Sequence, residues 1–158
     1  MKLKGKEKYF WKKYFNITNA AMIPSNLDGI TGIDSDHDDQ FFFYLTGRVT
    51  SIRSIHLRCS QLTDEGVKYI SRLKDLKELT LKNHIGITKK CLPCLNKLSD
   101  LEYLDISKNE ILLEDLYALT NLKNLREIYI SSDKPEAQVK EDIQKLKIHF
   151  PNCQITIY

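Results

Sequence analysis

Ile52-Arg53-Ser54-Ile55-His56-Leu57 returns at regular intervals as Leu76-Lys77-Glu78-Leu79-Thr80-Leu81, Leu101-Glu102-Tyr103-Leu104-Asp105-Ile106 and Leu125-Arg126-Glu127-Ile128-Tyr129-Ile130. Ile155-Thr156-Ile157 ends the series. The last apolar residue of each stretch (57, 81, 106, 130, 157) recurs at steps of 24, 25, 24 and 27 residues. Alternating apolar positions inside each stretch have the period of a strand with one face buried. A second apolar series follows at a spacing of three: Val67-Ile70-Leu73, Leu92-Leu95-Leu98 and Leu116-Leu119-Leu122, with Ile143 and Leu146 in the last unit. That spacing fits one or two helical turns packed back onto the strand. Thr63-Asp64-Glu65 and Thr88 supply side chains suited to cap the helix starts. Each unit therefore reads strand, turn, helix, return, and none can bury its own apolar face. The expected fold is an α/β solenoid: a right-handed superhelix with a short parallel strand face and outer helices.

Composition bounds the rest. At 158 residues, 42% hydrophobic and 28% charged, the chain is expected to form one globular domain. No apolar run approaches the roughly 18–20 residues of a membrane span. No hydrophobic segment of signal-peptide type follows the basic start Met1-Lys2-Leu3-Lys4. A cytoplasmic setting is expected, with Cys59, Cys91, Cys94 and Cys153 as reduced thiols. The net charge of +3 is uneven: residues 1–15 carry six lysines against Glu7, which leaves the rest at net −2. A broad nucleic-acid face on the repeats is therefore not expected.

Leu62-Thr63-Asp64-Glu65-Gly66-Val67 resembles a phrase of ribonuclease-inhibitor-like, cysteine-containing leucine-rich repeats. Asp105-Ile106-Ser107-Lys108-Asn109-Glu110-Ile111 is similar to the asparagine-turn phrase of leucine-rich repeats generally. The resemblance spans residues 49–158 and is specific for fold, not for activity. In such repeats the turn asparagine bonds backbone, but here Ser60 and His84 stand at that position in the first two units. Those turns must satisfy their amides in another way. The longer unit from Leu125 to Pro151, with Asp133-Lys134-Pro135, reads as a distorted terminal repeat before a closing strand.

Residues 1–48 scan less cleanly. Ile33 lies 24 residues before Leu57, and Phe42 and Leu45 lie 25 before Val67 and Ile70, so Ile30–Leu45 reads as a degenerate first repeat. Upstream, Tyr9, Phe10, Trp11, Tyr14 and Phe15 make one side of a helix apolar, with lysines around it. An open solenoid end needs covering, and this helix is expected to cap it. Capped at both ends, the array is expected to be complete.

Several motifs carry possible chemistry. Cys91-Leu92-Pro93-Cys94 lacks the second close pair a structural zinc site needs; a redox role is conceivable, yet both cysteines flank core positions. Asp34-Ser35-Asp36-His37-Asp38-Asp39 opens like a calcium loop, but Asp39 and Leu45 replace the required glycine and glutamate. A helix-capping turn suits it better. His37, His56, His84 and His149 are scattered among units. No enzyme activity, cofactor, metal or small-molecule substrate is expected.

The outward strand positions form columns. One contains Ser54, Glu78, Tyr103 and Glu127; the next His56, Thr80, Asp105, Tyr129 and Thr156; the third Arg58, Lys82, Ser107, Ser131 and Tyr158. With strands about 4.8 Å apart they make a surface about 15–20 Å across. Tyrosine and arginine are enriched at interface hot spots. The expected function is that of a monomeric protein–protein interaction module. Glu78, Tyr103, Glu127, His56, Thr80, Asp105, Tyr129, Arg58, Lys82 and Tyr158 are its expected contacts. The alternatives are an inhibitor or immunity-type protein that blocks an enzyme, and membrane or nucleic-acid association through the basic helix.

Overall fold

A computed structural model describes residues 3–158; Met1 and Lys2, part of the basic start, lie outside the described residues. In chain order the elements are α1 (Gly5–Phe15), β1 (Asn26–Ile33), α2 (Asp39–Leu45), β2 (Ser51–Arg58), α3 (Asp64–Ile70) and β3 (Glu78–Lys82). They continue with α4 (Leu92–Leu95), β4 (Tyr103–Asp105), β5 (Glu127–Ile130), α5 (Glu136–His149) and β6 (Gln154–Ile157). The six strands form one sheet in sequence order, and every neighbouring pair is parallel.

Alternation decides which face is covered. Ile52, Ile55, Leu57, Leu79, Leu81, Leu104, Ile106, Ile128 and Ile130 are all fully buried. Each such side chain contributes roughly 1.5–3 kcal/mol by leaving water. The helical residues Val67, Ile70, Leu95 and Leu116 close over them from the other side of the same core. Between β4 and β5 the helix is a 3₁₀ segment, Leu113–Ala118, rather than an α-helix.

Two polar ladders hold one unit to the next. The Asp39 carboxylate accepts from the Thr63 backbone N–H (2.9 Å) and hydroxyl (2.6 Å). Asp64 repeats this on Thr88, at 2.8 Å for both bonds. Each threonine in turn caps its own helix, accepting from Glu65 N–H or Lys90 N–H. The second ladder occupies the asparagine position. Ser60 Oγ and His84 Nε2 share a 2.9 Å hydrogen bond, His84 N–H donates to Asn109 Oδ1 (2.7 Å), and Asn109 Nδ2 donates to the Leu81 carbonyl (2.6 Å). Ser60 and His84 thus stay in the ladder in place of asparagine. Just beyond β1, β2 and β3, and just after Ser107, stand Asp34, Cys59, Asn83 and Lys108, all with positive φ (47° to 61°). A left-handed residue there turns the chain sharply out of the sheet.

The first repeat differs from its expected register. Gly32, not Ile33, pairs with Leu57; Ile33 pairs with Arg58 and is 65% exposed. The interval here is 25 residues, and one residue of slip moves a strand side chain to the opposite face. Ile30, opposite Ile55, supplies the buried contact. Asp38 accepts from Phe41 N–H (2.8 Å), so the acidic stretch does cap α2.

In α1, Phe10 and Trp11 are buried, and Phe10 lies 5.3 Å from the Phe41 ring and 5.4 Å from Tyr44. Tyr9, expected on the same apolar stripe, is 68% exposed because consecutive helical positions diverge by about 100°. The longer terminal unit carries the 14-residue α5, whose Val139 and Leu146 are buried, and β6 closes the sheet against β5. Lys134 ties that unit back to Glu114 (2.9 Å) of the preceding one while also holding Asp142 of α5 (2.8 Å).

Burial pushes His84 below its ordinary value of 6.5, and burial does the same to His37. As pH falls, the unfolded chain then protonates first, so stability is full above about pH 6.5 and declines below it. His84→Asn, which restores the ladder amide, is expected to flatten the fall in melting temperature between about pH 6.5 and 5. His37 should leave a residual slope. Identical slopes in the two proteins would remove His84 as a source.

Candidate functional site

The uncovered side of the sheet gathers the outward columns as expected in order, though not in exposure. Cross-strand pairing sets Ser54 beside Glu78, Glu78 beside Tyr103 and Tyr103 beside Glu127. The next column pairs His56, Thr80, Asp105, Tyr129 and Thr156 in turn. Within it Thr80 and Asp105 are only 4% and 3% exposed. These two expected contact residues are short side chains between His56, Tyr103 and Tyr129, and the longer neighbours keep solvent from them. His56 Nδ1 and Thr80 Oγ1 are 3.0 Å apart, and His56 Nε2 lies 3.3 Å from Glu78 Oε2. Asp105 Oδ1 accepts from both the backbone N–H (3.0 Å) and hydroxyl (2.6 Å) of Ser107. That turn draws Ser107 fully inside and breaks the third column, whose Arg58 stays exposed.

Three tyrosines run along the C-terminal half of the face. Tyr103 and Tyr129 have ring centroids 5.4 Å apart, and Tyr129 and Tyr158 are 6.1 Å apart. Tyr129 donates to Glu127 Oε2 (3.1 Å), a bond that raises its hydroxyl above the ordinary value. Tyr103 is pushed up first by burial and then by the negative charge of Asp105, with smaller contributions from Tyr129 and Glu127. Lys82 reaches across the gap left by Ser107 and places its ammonium 3.2 Å from the centre of the Tyr158 ring, a cation–π contact.

A further column lies where the repeat phrase has its first variable residue. Arg53, Lys77, Glu102 and Arg126 are joined by backbone hydrogen bonds of 2.8 Å from each to the one before. Glu102 pairs with Lys77 (3.3 Å) and with Arg126 (3.7 Å). With Glu78, Tyr103 and Glu127 this column lines an open cleft of about 660 Å³. Sequence reasoning passed over it because these residues mostly precede the alternating strand core. Their signal is their constant place after the first leucine.

The other motifs resolve into local roles. Asp36 bonds Lys13, Asp38 caps α2 and Asp39 holds Thr63, so the acidic stretch is occupied by protein groups. Among the described residues no group of three or more His, Cys, Asp or Glu is placed to hold a metal. Cys91 is buried, Cys94 half-buried and Cys59 exposed. A second concavity, about 690 Å³, lies between α1 and α2 and is walled by Tyr9, Phe10, Tyr14, Phe41 and Tyr44. Among the described residues no helix is long and apolar enough to cross a membrane.

A leucine-rich repeat family model matches residues 50–71, the stretch through β2 and α3. This unit is similar to a leucine-rich repeat. The strand pairing shows that the units after it reuse the same inward positions. No curated protein matches the chain.

Burial raises the Cys91 thiol to about 12 and the Cys153 thiol to about 11. Since only thiolate attacks, a disulfide reagent at neutral pH should label Cys59 fast and leave Cys91 and Cys153 unlabelled until denaturant is added. Mass mapping of the labelled peptides reads this directly. Early labelling of Cys91 would restore a redox reading of the CxxC pair.

Proposed function

We propose that this chain is a non-catalytic protein-binding module, a monomeric solenoid of leucine-rich repeats whose strand face receives a protein partner. The observation that carries this reading is the tyrosine row Tyr103–Tyr129–Tyr158, which steps diagonally from β4 through β5 to the residue after β6, beside Glu78, Glu127 and Lys82. Tyrosine offers large contact area with few rotatable bonds, and a sheet face presents it without ordering cost. Similarity of residues 50–71 to leucine-rich repeats supports the same reading, since such repeats commonly bind proteins. The ribonuclease-inhibitor-like subclass rests on the Leu62–Val67 phrase alone. Four free cysteines fit a reducing compartment, so the proposal places the chain in the cytoplasm.

In this reading residues 1–48 complete the array, with α1 as a cap over its first end. The burial of Phe10 and Trp11 supports that role in preference to membrane or nucleic-acid contact, which needs the aromatic side exposed. Trp11→Ala is then expected to cost about 3–5 kcal/mol of stability, measured by denaturant titration. A midpoint close to that of the unaltered protein would rule the cap out.

The binding face is tested by Tyr103→Ala with Tyr129→Ala. Both rings are only half-buried, so the melting curve should stay within a few degrees while capture of a native partner falls at least about tenfold. Undiminished capture by the folded double variant would sink the assignment.

A further inference from the structure

The concavity between α1 and α2 holds about 690 Å³ and is walled mainly by aromatic rings. Small organic ligands are held in apolar, largely pre-formed hollows of roughly 300–1,000 Å³ with a few polar groups at the edge. Four of its rings pack into a continuous wall. Phe10 lies 5.1 Å from Tyr14 and 5.4 Å from Tyr44, and Phe41 lies 4.9 Å from Tyr14. Tyr9 stands outside that wall. It lines the same concavity yet is 68% exposed, and among the described residues no other ring packs on it. A flat ring laid against Tyr9 and the wall would gain aromatic partners on both α1 and α2, at the separations of about 4.5–7 Å that aromatic pairs adopt.

The charges around the hollow are unequally engaged. Lys13 is held by Asp36 and lies 4.6 Å from the centre of the Tyr14 ring. Asp38 accepts from Phe41 N–H (2.8 Å) at the start of α2. Both carboxylates of the lining therefore already have donors. Lys6 also lines the hollow, is exposed and enters no ion pair among the described residues. Lys4, Lys8 and Lys12 of the same segment are unpaired as well, while Glu7 of α1 is taken by Arg48 (2.8 Å). The charge left over at the α1 side of the mouth is positive.

We propose that this hollow binds a small planar aromatic carboxylate, with the ring against Tyr9 and the Phe10–Tyr44 wall and the carboxylate turned to Lys6. Ring area supplies the attraction, and the exposed ammonium selects the anion over a neutral molecule of the same shape. Such a ligand touches α1 and α2 together, so it fastens the cap to the array and stabilises the folded chain by mass action. The site is separate from the strand face and would act without altering it.

The test is a titration of the full chain with cinnamate, followed through the ring resonances of Tyr9 and Tyr44, with uncharged cinnamamide as the control. Saturable shifts of both rings are expected, with Tyr103 and Tyr129 unmoved. At low salt cinnamate should bind about threefold more tightly than cinnamamide, a preference that Lys6→Gln removes and added salt reduces. Tyr9→Ala should weaken both compounds about fivefold. Lys6 and Tyr9 are exposed, so both variants keep the fold. In the unaltered protein cinnamate should also raise the melting temperature, and less so in Tyr9→Ala. Shifts confined to Tyr103 and Tyr129, equal affinity for the two compounds, or undiminished binding in Tyr9→Ala would each overturn the proposal.

Discussion

No unit of this chain can cover its own apolar face. Each strand turns alternate leucines or isoleucines inward, and each short helix shields only part of them, so water is excluded only when units stack in register. That constraint explains why all the strand pairs are parallel and in sequence order, and why the inward positions from Ile52 to Ile130 are uniformly buried. It also explains the two ends. An end unit has a neighbour on one side only, and here α1, with Trp11 and Phe10, packs against the first helices while the longer α5 and β6 complete the last unit.

Stacking alone leaves register loosely set, since apolar contact is not directional. The polar ladders supply the direction. Asp39 on Thr63 and Asp64 on Thr88 join each helix start to the next at fixed height. Ser60, His84 and Asn109 join the same strand-to-helix loops a few residues earlier. Three different residue types occupy one structural position because that position demands a hydrogen-bonding side chain of suitable reach. The outward residues are then positioned by bonds that lie outside the uncovered strand face.

Much of this was legible in the chain. The phrase L-x-x-L-x-L located β2 to β5, the spacing of three located the helical layer, and Thr63 and Thr88 marked helix starts that the structure reproduces. The outward columns follow from the same period, so their order was legible too. The slip at Ile33 was not, because a 24- and a 25-residue interval fit the first repeat about equally well until backbone pairing chooses between them. Nor was the exposure of Tyr9, since the packing of α1 on α2 chooses which part of an aromatic run faces inward.

By itself the sequence determined the repeat, its alternation of strand and helix and the residues that share each column, because these depend on chain periods alone. Tertiary structure decided depth. Thr80 and Asp105 share columns with exposed residues yet are buried under side chains that arrive from neighbouring units, and Ser107 is drawn in by its bonds to Asp105. It also decided which charges are already matched, by bringing Lys77 and Arg126 to Glu102 and Lys82 to Tyr158. Ion pairing acts over a few ångströms, and residues two dozen positions apart come that close only when the units stack.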